Sequence, residues 1–275
     1  MIVEQVIFLA VAALYLAAVL LNIRLVYVEA ADAGKTRNGK RIADIVLFSA
    51  IILHLAGLVM RTVASGHAPF ANTYESLIFF SWCIAVIWVL LILRGRNPFV
   101  TAIVCLLAFL SLGLASVLPV SARMARPLVP ALQSIWLYIH VITSFIGYAG
   151  FSVAFVASLL FLVRKARPEG GMVPQSSFTD SLSYRAVAVG FTFLTLGILT
   201  GAIWAKHAWG RYWSWDPKET WALVTFLIYS FHLHSRLVRK ASPALCHWIS
   251  ILGFIAVLFT YFGVNYLFSG LHSYR

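Results

Sequence analysis

Residues 4–26 form the first long apolar run of the chain, EQVIFLAVAALYLAAVLLNIRLV, and runs of this kind decide the fold. The hydrocarbon core of a bilayer is about 30 Å thick, so a helix of about 20 apolar residues crosses it. The run therefore predicts a transmembrane helix. It is too long for the apolar part of a signal peptide, and its first charged residue is acidic, so we expect no cleavage here.

Seven more apolar runs follow, separated by polar loops. They cover residues 43–64, 75–93, 99–119, 136–163, 186–205, 219–238 and 245–267. The chain is 61% hydrophobic, whereas soluble domains are about 45–50% apolar. We therefore predict an all-α polytopic integral membrane protein with about eight transmembrane helices, built as a single transmembrane domain over residues 1–275.

The net charge of +12 is typical of proteins that bind nucleic acid, but the distribution of the basic residues argues against this. They concentrate in alternate loops, with 14 on one side of the predicted helices and seven on the other. The richer side is expected to be cytoplasmic. Both termini then lie on the extracytoplasmic side, and the expected partner is the lipid bilayer rather than nucleic acid.

The segment 204–221, which we call the tryptophan segment, holds five of the nine tryptophans of the chain. Its core is WGRYWSWDPKETW, residues 209–221. One explanation is an aromatic belt at the membrane surface. The other is an apolar surface for a flat amphipathic ligand, whose acidic groups would meet Arg211 and Lys218.

Part of this segment is typical of a helix start. Asp216 is suited to cap the first turn, Pro217 fits the first helical position, and Glu219 can reach back to the amide of the cap residue. These local roles account for the charged residues at positions 216 and 219, but they leave the tryptophans unexplained.

Two pairs of histidines are candidate ligands. His140 and His272 both fall on the predicted extracytoplasmic side, where they could bind a haem iron from opposite faces or be two unrelated interfacial residues. His232 and His234 lie at the cytoplasmic end of the seventh run. Because they are two residues apart on a helix, they cannot both face one ligand.

The other histidines have weaker signals. His54 lies within a span and is either functional or a packing residue bonded to a neighbouring helix. His67 suggests turn chemistry, His207 lies in an outer loop, and His247 is expected at the membrane interface. The three cysteines are expected to be core or lipid-facing residues.

Four motifs carry a resemblance to a known family. WGRYWSWDPKETWAL (209–223) resembles the WWD signature of haem-handling membrane proteins. Together with LIYSFHLHSR (227–236), YFGVNYLFSGLHSY (261–274) and GHAPFANTYES (66–76), it resembles the CcsA (ResC-like) family of system II cytochrome c biogenesis.

That resemblance implies a function. The protein would work with a CcsB/ResB-type membrane protein to export haem b and attach it to the CxxCH motif of apocytochrome c. The pair would form a holocytochrome c synthetase, or haem lyase, whose active site faces the extracytoplasmic side of a bacterial plasma membrane or thylakoid-type membrane. A haem-binding regulatory subunit and a system I-like haem-delivery protein remain the alternatives.

The resemblance also implies the site. The outer axial ligands of the haem iron would be His140 and His272, and the transmembrane ligand His234 rather than His232, with its counterpart in the partner. No acid or base beyond the haem ligands is expected. The residues expected around the outer haem are Trp209, Trp213, Trp215, Asp216 and Arg211.

Overall fold

A computed structural model describes residues 2–31, 36–92, 96–125, 127–167 and 172–268. Over these residues the chain forms helices joined by turns and loops. The helices are α1 (Ile2–Ala31), α2 (Arg37–Ser65), α3 (Thr73–Leu91), α4 (Pro98–Val117), α5 (Val120–Arg123), α6 (Ile135–Ala166), α7 (Ser176–Trp209), α8 (Pro217–Leu237), α9 (Pro243–Leu258) and α10 (Val264–Leu267). A 3₁₀ turn spans Pro130–Leu132, and a π-helical turn, Phe259–Gly263, joins α9 to α10.

Seven of the described helices are long and apolar enough to cross a membrane. They are α1, α2, α3, α4, α6, α7 and the continuous helix Pro243–Leu267. The eighth long helix, α8, has 21 residues and a length of about 31 Å. It is more polar because it carries charged residues and two histidines. The prediction of an all-α integral membrane protein with about eight spans is therefore confirmed.

The chain divides into two compact units. The first comprises Met1–Pro127 and Arg167–Pro174, and the second comprises Leu128–Ala166 and Gln175–Arg275. In the first unit, α1 packs against α2 and α4, and α3 packs against α4. In the second, α6 packs along α7 and α9, and α8 packs against α9. That the whole chain works as one domain stays a prediction.

The GHAPFANTYES motif joins three helices of the first unit. Asn72 Oδ1 accepts a hydrogen bond from the Glu75 amide at 2.9 Å, while Glu75 Oε2 accepts one from the Ala71 amide at 2.8 Å. The same carboxylate binds Arg61 Nη2 at 2.9 Å, and Arg61 Nη1 lies 3.3 Å from Glu4 Oε1. Since all three charged side chains are buried, the motif fastens α1 and α2 to the start of α3.

Two histidines of the first unit have structural roles. The ring of His54 is buried, meets the hydroxyl of Tyr15 on α1 at 3.1 Å, and packs edge-on against Phe8. It is thus a packing residue bonded to a neighbouring helix. His67 Nδ1 lies 2.9 Å from the carbonyl oxygen of Ala68, which confirms the turn chemistry predicted for it.

The second unit is built on a close antiparallel pair, α6 and α7. A Cβ atom added to Gly150 of α6 would lie 2.9 Å from the backbone nitrogen of Gly190 on α7, so only glycine allows this approach. The N-terminal part of α6 therefore lies beside the C-terminal part of α7. This end also holds the segment Gly210–Asp216 and the start of α8, and we call it the loop end.

Candidate functional site

His140 lies at the loop end of the second unit, one turn into α6. Its Nδ1 is 2.7 Å from the carbonyl oxygen of Gly197 on α7. A carbonyl only accepts, so Nδ1 carries the proton and donates it. The lone pair of the neutral ring is then on Nε2. Histidines that bind metals commonly donate their other ring N–H to a backbone carbonyl in this way, so the ring has the tautomer that an iron ligand needs.

Two neighbours on α7 fix the plane of this ring. Trp204 is stacked on it, with ring centroids 6.0 Å apart and an interplanar angle of 16°. Trp204 is itself held in place, because it is 2% exposed and its indole N–H donates to the Ala131 carbonyl at 2.8 Å. Gly201 leaves the space for the ring, since a Cβ there would lie 2.6 Å from Nδ1 of His140.

Four of the five tryptophans of the segment form two pairs. Trp204 and Trp209 pack at the core of the unit, with centroids 4.8 Å apart. Trp213 is half-buried and Trp215 is 69% exposed, and their rings meet at 89°. The rings of Trp213 and Trp215 are therefore perpendicular and form a corner. They do not continue a flat surface that begins at Trp209.

Glu219 holds the tryptophan segment in its conformation. Its Oε2 accepts hydrogen bonds from the amide of Ser214 at 2.8 Å and from the amide of Asp216 at 3.2 Å. Asp216 caps α8 by accepting a bond from the Lys218 amide at 3.0 Å. Both partners of the predicted capping box are present. Asp216 therefore acts on the helix start, and it is buried.

Trp215 has a backbone conformation that is unusual for its residue type. Its φ is +59°, in the left-handed region that costs an L-residue about 1–2 kcal/mol. The side chain makes no compensating burial, because it is largely exposed. Strained residues of this kind concentrate at functional sites.

We expect Trp215→Gly to change the free energy of unfolding by less than about 1 kcal/mol, because glycine removes the left-handed strain but adds entropy to the unfolded chain. If Trp215 contacts haem, as the resemblance implies, haem retention should fall about 2- to 10-fold, the effect of one lost aromatic contact of ~0.5–1.5 kcal/mol. Denaturant titration and haem content of the purified protein measure the two effects. The control is Trp248→Ala, which removes a tryptophan of similar exposure, 60%, from α9. Equal haem loss in both variants would contradict a haem contact at Trp215.

Arg211 and Lys218, the two basic residues expected to meet acidic groups of a ligand, differ in their surroundings. Arg211 is exposed. Lys218, in the first turn of α8, donates from Nζ to Asn265 Oδ1 at 3.1 Å. Arg211 is therefore the better placed of the two to meet an acidic group that arrives from outside.

His272 lies outside the described residues, whose last member is Phe268. The π-helical turn Phe259–Gly263 precedes it and is anchored to α8, because the rings of Trp221 and Phe259 are 4.2 Å apart. Such turns are frequent at functional sites. His207 is exposed on the last turn of α7. Of the two outer ligands predicted, the structure therefore describes one.

At the other end of the second unit, the histidines two residues apart on α8 point in different directions, as predicted. His232 is 1% exposed, whereas His234 is on the exposed face of the helix. His234 lies 17 residues beyond Pro217 at the loop end, which is about 26 Å along the helix. The candidate histidines 140 and 234 therefore lie toward opposite ends of the second unit.

His247, expected at the membrane interface, is fully buried within the second unit. Its Nδ1 lies 3.0 Å from Ser158 Oγ, and its Nε2 lies 3.1 Å from Asp180 Oδ1. We missed both contacts because the partners are on other helices. The signal available in the sequence was Asp180 itself, a carboxylate beside a long apolar run.

The described residues hold no group of three or more His, Cys, Asp or Glu side chains that could bind a metal ion. Cys83, Cys105 and Cys246 are buried and free, as expected for core residues.

Comparisons with known proteins agree with this chemistry. A family model described as cytochrome C assembly protein matches residues 70–272. The protein named cytochrome c biogenesis protein CcsA in Chlorella vulgaris is 38% identical over 260 residues, which cover 79% of this chain and 80% of that protein. The protein of the same name in Prochlorococcus marinus (strain NATL2A) is 38% identical over 279 residues, with 88% and 85% covered. The one in Chlamydomonas reinhardtii is 43% identical over 227 residues, but the match spans only 64% of its length.

Proposed function

The chain belongs to the cytochrome c assembly protein family, and on that premise we propose that it is the haem-handling subunit of a system II cytochrome c synthetase. It presents haem b at the extracytoplasmic face of a bacterial plasma or thylakoid-type membrane. A CcsB/ResB-type membrane protein is its partner, and the CxxCH motif of apocytochrome c is the acceptor. Haem is a substrate here. The observation that carries the proposal is the hydrogen bond that orients His140, Nδ1 to the Gly197 carbonyl at 2.7 Å.

The chain binds haem at the loop end through His140 Nε2, and His272 supplies the second axial nitrogen, as the resemblance implies. With both axial positions filled, the iron has no open site for side reactions with oxygen. The corner formed by Trp213 and Trp215 contacts the porphyrin beside these ligands, while Arg211 meets a propionate. Asp216 and Glu219 act indirectly, because their hydrogen bonds hold the tryptophan segment in place.

The reaction itself adds each cysteine S–H across one vinyl group. One C–S bond and one C–H bond form, the S–H bond and the π bond of the vinyl group break, and no electrons are exchanged with an outside reagent. The thiols react as thiolates. The protein contributes by positioning the two reactants. It leaves the vinyl edge of the haem accessible, and the histidine of CxxCH displaces one axial ligand and so brings the cysteines close to the vinyl groups. Proximity of this order supplies much of a rate enhancement without a dedicated acid or base.

The opposite end of the unit receives haem before this step. His234 is exposed there on α8, where a histidine of the partner can complete the coordination. A helix length of about 26 Å separates the two ends, which suits a carrier that takes haem from the cytoplasmic side and releases it outside. His232 is buried, which supports His234 as the ligand of the pair.

Coexpression with a CcsB/ResB-type partner and a reporter apocytochrome c tests this function. We expect covalent holocytochrome only when both membrane proteins are present, as measured by haem stain after denaturing electrophoresis. A chain that acts as a regulatory subunit or scaffold would leave reporter maturation unchanged when omitted. A system I-like delivery protein would support maturation without this partner. Either outcome would contradict the proposal.

A further inference from the structure

We propose that Asp180 of α7 is a positioning residue for His234: its carboxylate holds the last turn of α8 so that the His234 ring faces outward from the second unit. The proposal rests on the proposed function insofar as His234 is the ligand there. Asp180 is 54 positions away from His234 in the sequence and touches neither it nor the outer site.

The carboxylate of Asp180 joins three helices. Arg236 of α8 donates from Nη1 to Oδ1 at 2.7 Å and from Nη2 to Oδ2 at 2.6 Å, which is a bidentate pair. His247 of α9 places Nε2 at 3.1 Å from Oδ1, a close contact without the alignment of a hydrogen bond. Bidentate guanidinium–carboxylate pairs fix orientation as well as distance. Asp180 therefore sets both the depth and the rotation of the Arg236 side chain.

The network continues into a fourth helix, which makes it rigid. Ser158 of α6 lies 3.0 Å from His247 Nδ1 and 3.0 Å from the hydroxyl of Ser183 on α7. The ring of His247 is also stacked on Phe161, with centroids 3.9 Å apart. Both Ser158 and His247 are fully buried. Through His247, Asp180 therefore contacts the buried core of the second unit rather than a loop.

Helix geometry transmits this constraint to His234. Successive residues are about 100° apart around an α-helix, so residues 232 and 236 share a face and residue 234 is on the opposite face. His232 is buried and the guanidinium of Arg236 lies over the ring of Tyr184 at 5.0 Å. With positions 232 and 236 turned inward, position 234 is turned outward, as its exposure reflects.

Asp180 adds a side-chain anchor to a last turn of α8 that backbone hydrogen bonds also close, since the amides of Val238 and Ala241 donate to the carbonyls of His234 and Ser235 at 2.9 Å. The helix ends at Leu237, three residues beyond His234. The final carbonyls of a helix lack intrahelical partners, and helix ends fray. Side-chain contacts in this turn, such as the pair of Arg236 with Asp180, therefore decide whether the His234 ring keeps one orientation.

The test uses the full chain with its partner and needs two readouts. The first is the distance distribution between nitroxide labels on the exposed positions His234→Cys and Leu199→Cys, with no haem required. The native cysteines are buried, which protects them from the label. The second is the low-spin haem absorption that depends on His234, defined by the difference between the parent and His234→Ala. We expect Asp180→Asn to broaden the distribution at least twofold and to lower this absorption at least fivefold.

Asp180→Glu keeps the charge and should restore more than half of both signals. Asp44→Asn is the matched control, since it breaks an aspartate–arginine pair in the first unit, that of Asp44 with Arg96. It should leave both readouts at parental values. Arg236→Gln breaks the same contact as Asp180→Asn from the other side and must reproduce its effects, which covers the case in which the first variant fails to accumulate.

An unchanged, narrow distribution in both Asp180→Asn and Arg236→Gln would overturn the positioning role, as would an equal effect of Asp44→Asn. These outcomes leave the proposed function intact if His234→Ala still loses haem. If His234→Ala keeps all of its haem, the ligand assignment fails, and the positioning role fails with it.

Discussion

A His140→Ala chain, expressed with its partner and a reporter apocytochrome c, is expected to reach parental levels in the membrane and yet leave the reporter without covalent haem. The variant removes Nε2, the nitrogen that the Gly197 hydrogen bond leaves unprotonated. Losing the hydrogen-bond partner of a metal ligand costs about 10- to 100-fold in affinity or activity, so losing the ligand itself should exceed ~100-fold. Haem stain of the reporter, normalised to membrane-protein level, measures the effect.

A substitution that leaves His140 in place tests the same geometry. Gly201→Ala puts a Cβ at 2.6 Å from Nδ1 and 2.8 Å from Cε1 of the ring, so the imidazole must leave its hydrogen bond to Gly197. We expect reporter maturation to fall about 10- to 100-fold. The matched control is Gly113→Ala in α4, where an added Cβ meets nothing within 4 Å. Normal maturation in both His140→Ala and Gly201→Ala would contradict the role of this ring.

The largest effect on stability is expected from Glu75→Gln. Glu75 is 0% exposed and accepts two hydrogen bonds from Arg61, at 3.0 Å from Nε and 2.9 Å from Nη2. Removing one partner of a buried ion pair costs about 3–5 kcal/mol, because the other charge is left uncompensated. Glu4, 3.3 Å from the same guanidinium, offsets part of this loss, so the lower half of that range is expected. Denaturant titration of the detergent-solubilised protein measures it.

Glu29→Gln is the control for this prediction. It removes the carboxylate that pairs with Lys40, and both side chains there are about one-third exposed. Pairs of that kind contribute about 0–1 kcal/mol. Destabilisation of equal size in the two variants would show that the Arg61 cluster does not hold α1, α2 and α3 together.

Hydropathy predicted most of the fold, because a segment's apolar content shows whether it is more stable in lipid and the protein core or in water. Apolar runs located most of the long helices within a few residues, but α7 begins ten residues and α2 six residues before the predicted run. Asp216-Pro217-Lys218-Glu219 predicted the start of α8, since helix caps are local chemistry. The seventh run was the weakest of the eight, and α8 is correspondingly the least apolar of the long helices. The two compact units have no sign in the sequence, because contacts between helices leave no periodic pattern.

The site was predictable only where function depends on a motif. The motifs pointed to His140, but not to the Gly197 carbonyl and the Trp204 ring that orient it, which are 57 and 64 positions away. Sequence spacing does not show that the ring of Trp204 is buried while that of Trp215 is exposed. Nor does it show that Asp180 and His247, 67 positions apart, meet at 3.1 Å.

The visible spectrum of the purified complex with its partner tests the central claim most directly, which is that His140 binds the iron of the outer haem. The parent complex should show a Soret band with the sharp bands of six-coordinate, low-spin iron. In His140→Ala the outer-site share of that spectrum should vanish or become high-spin, and added imidazole should restore it. Identical spectra for the parent and His140→Ala, at equal haem content, would contradict the account.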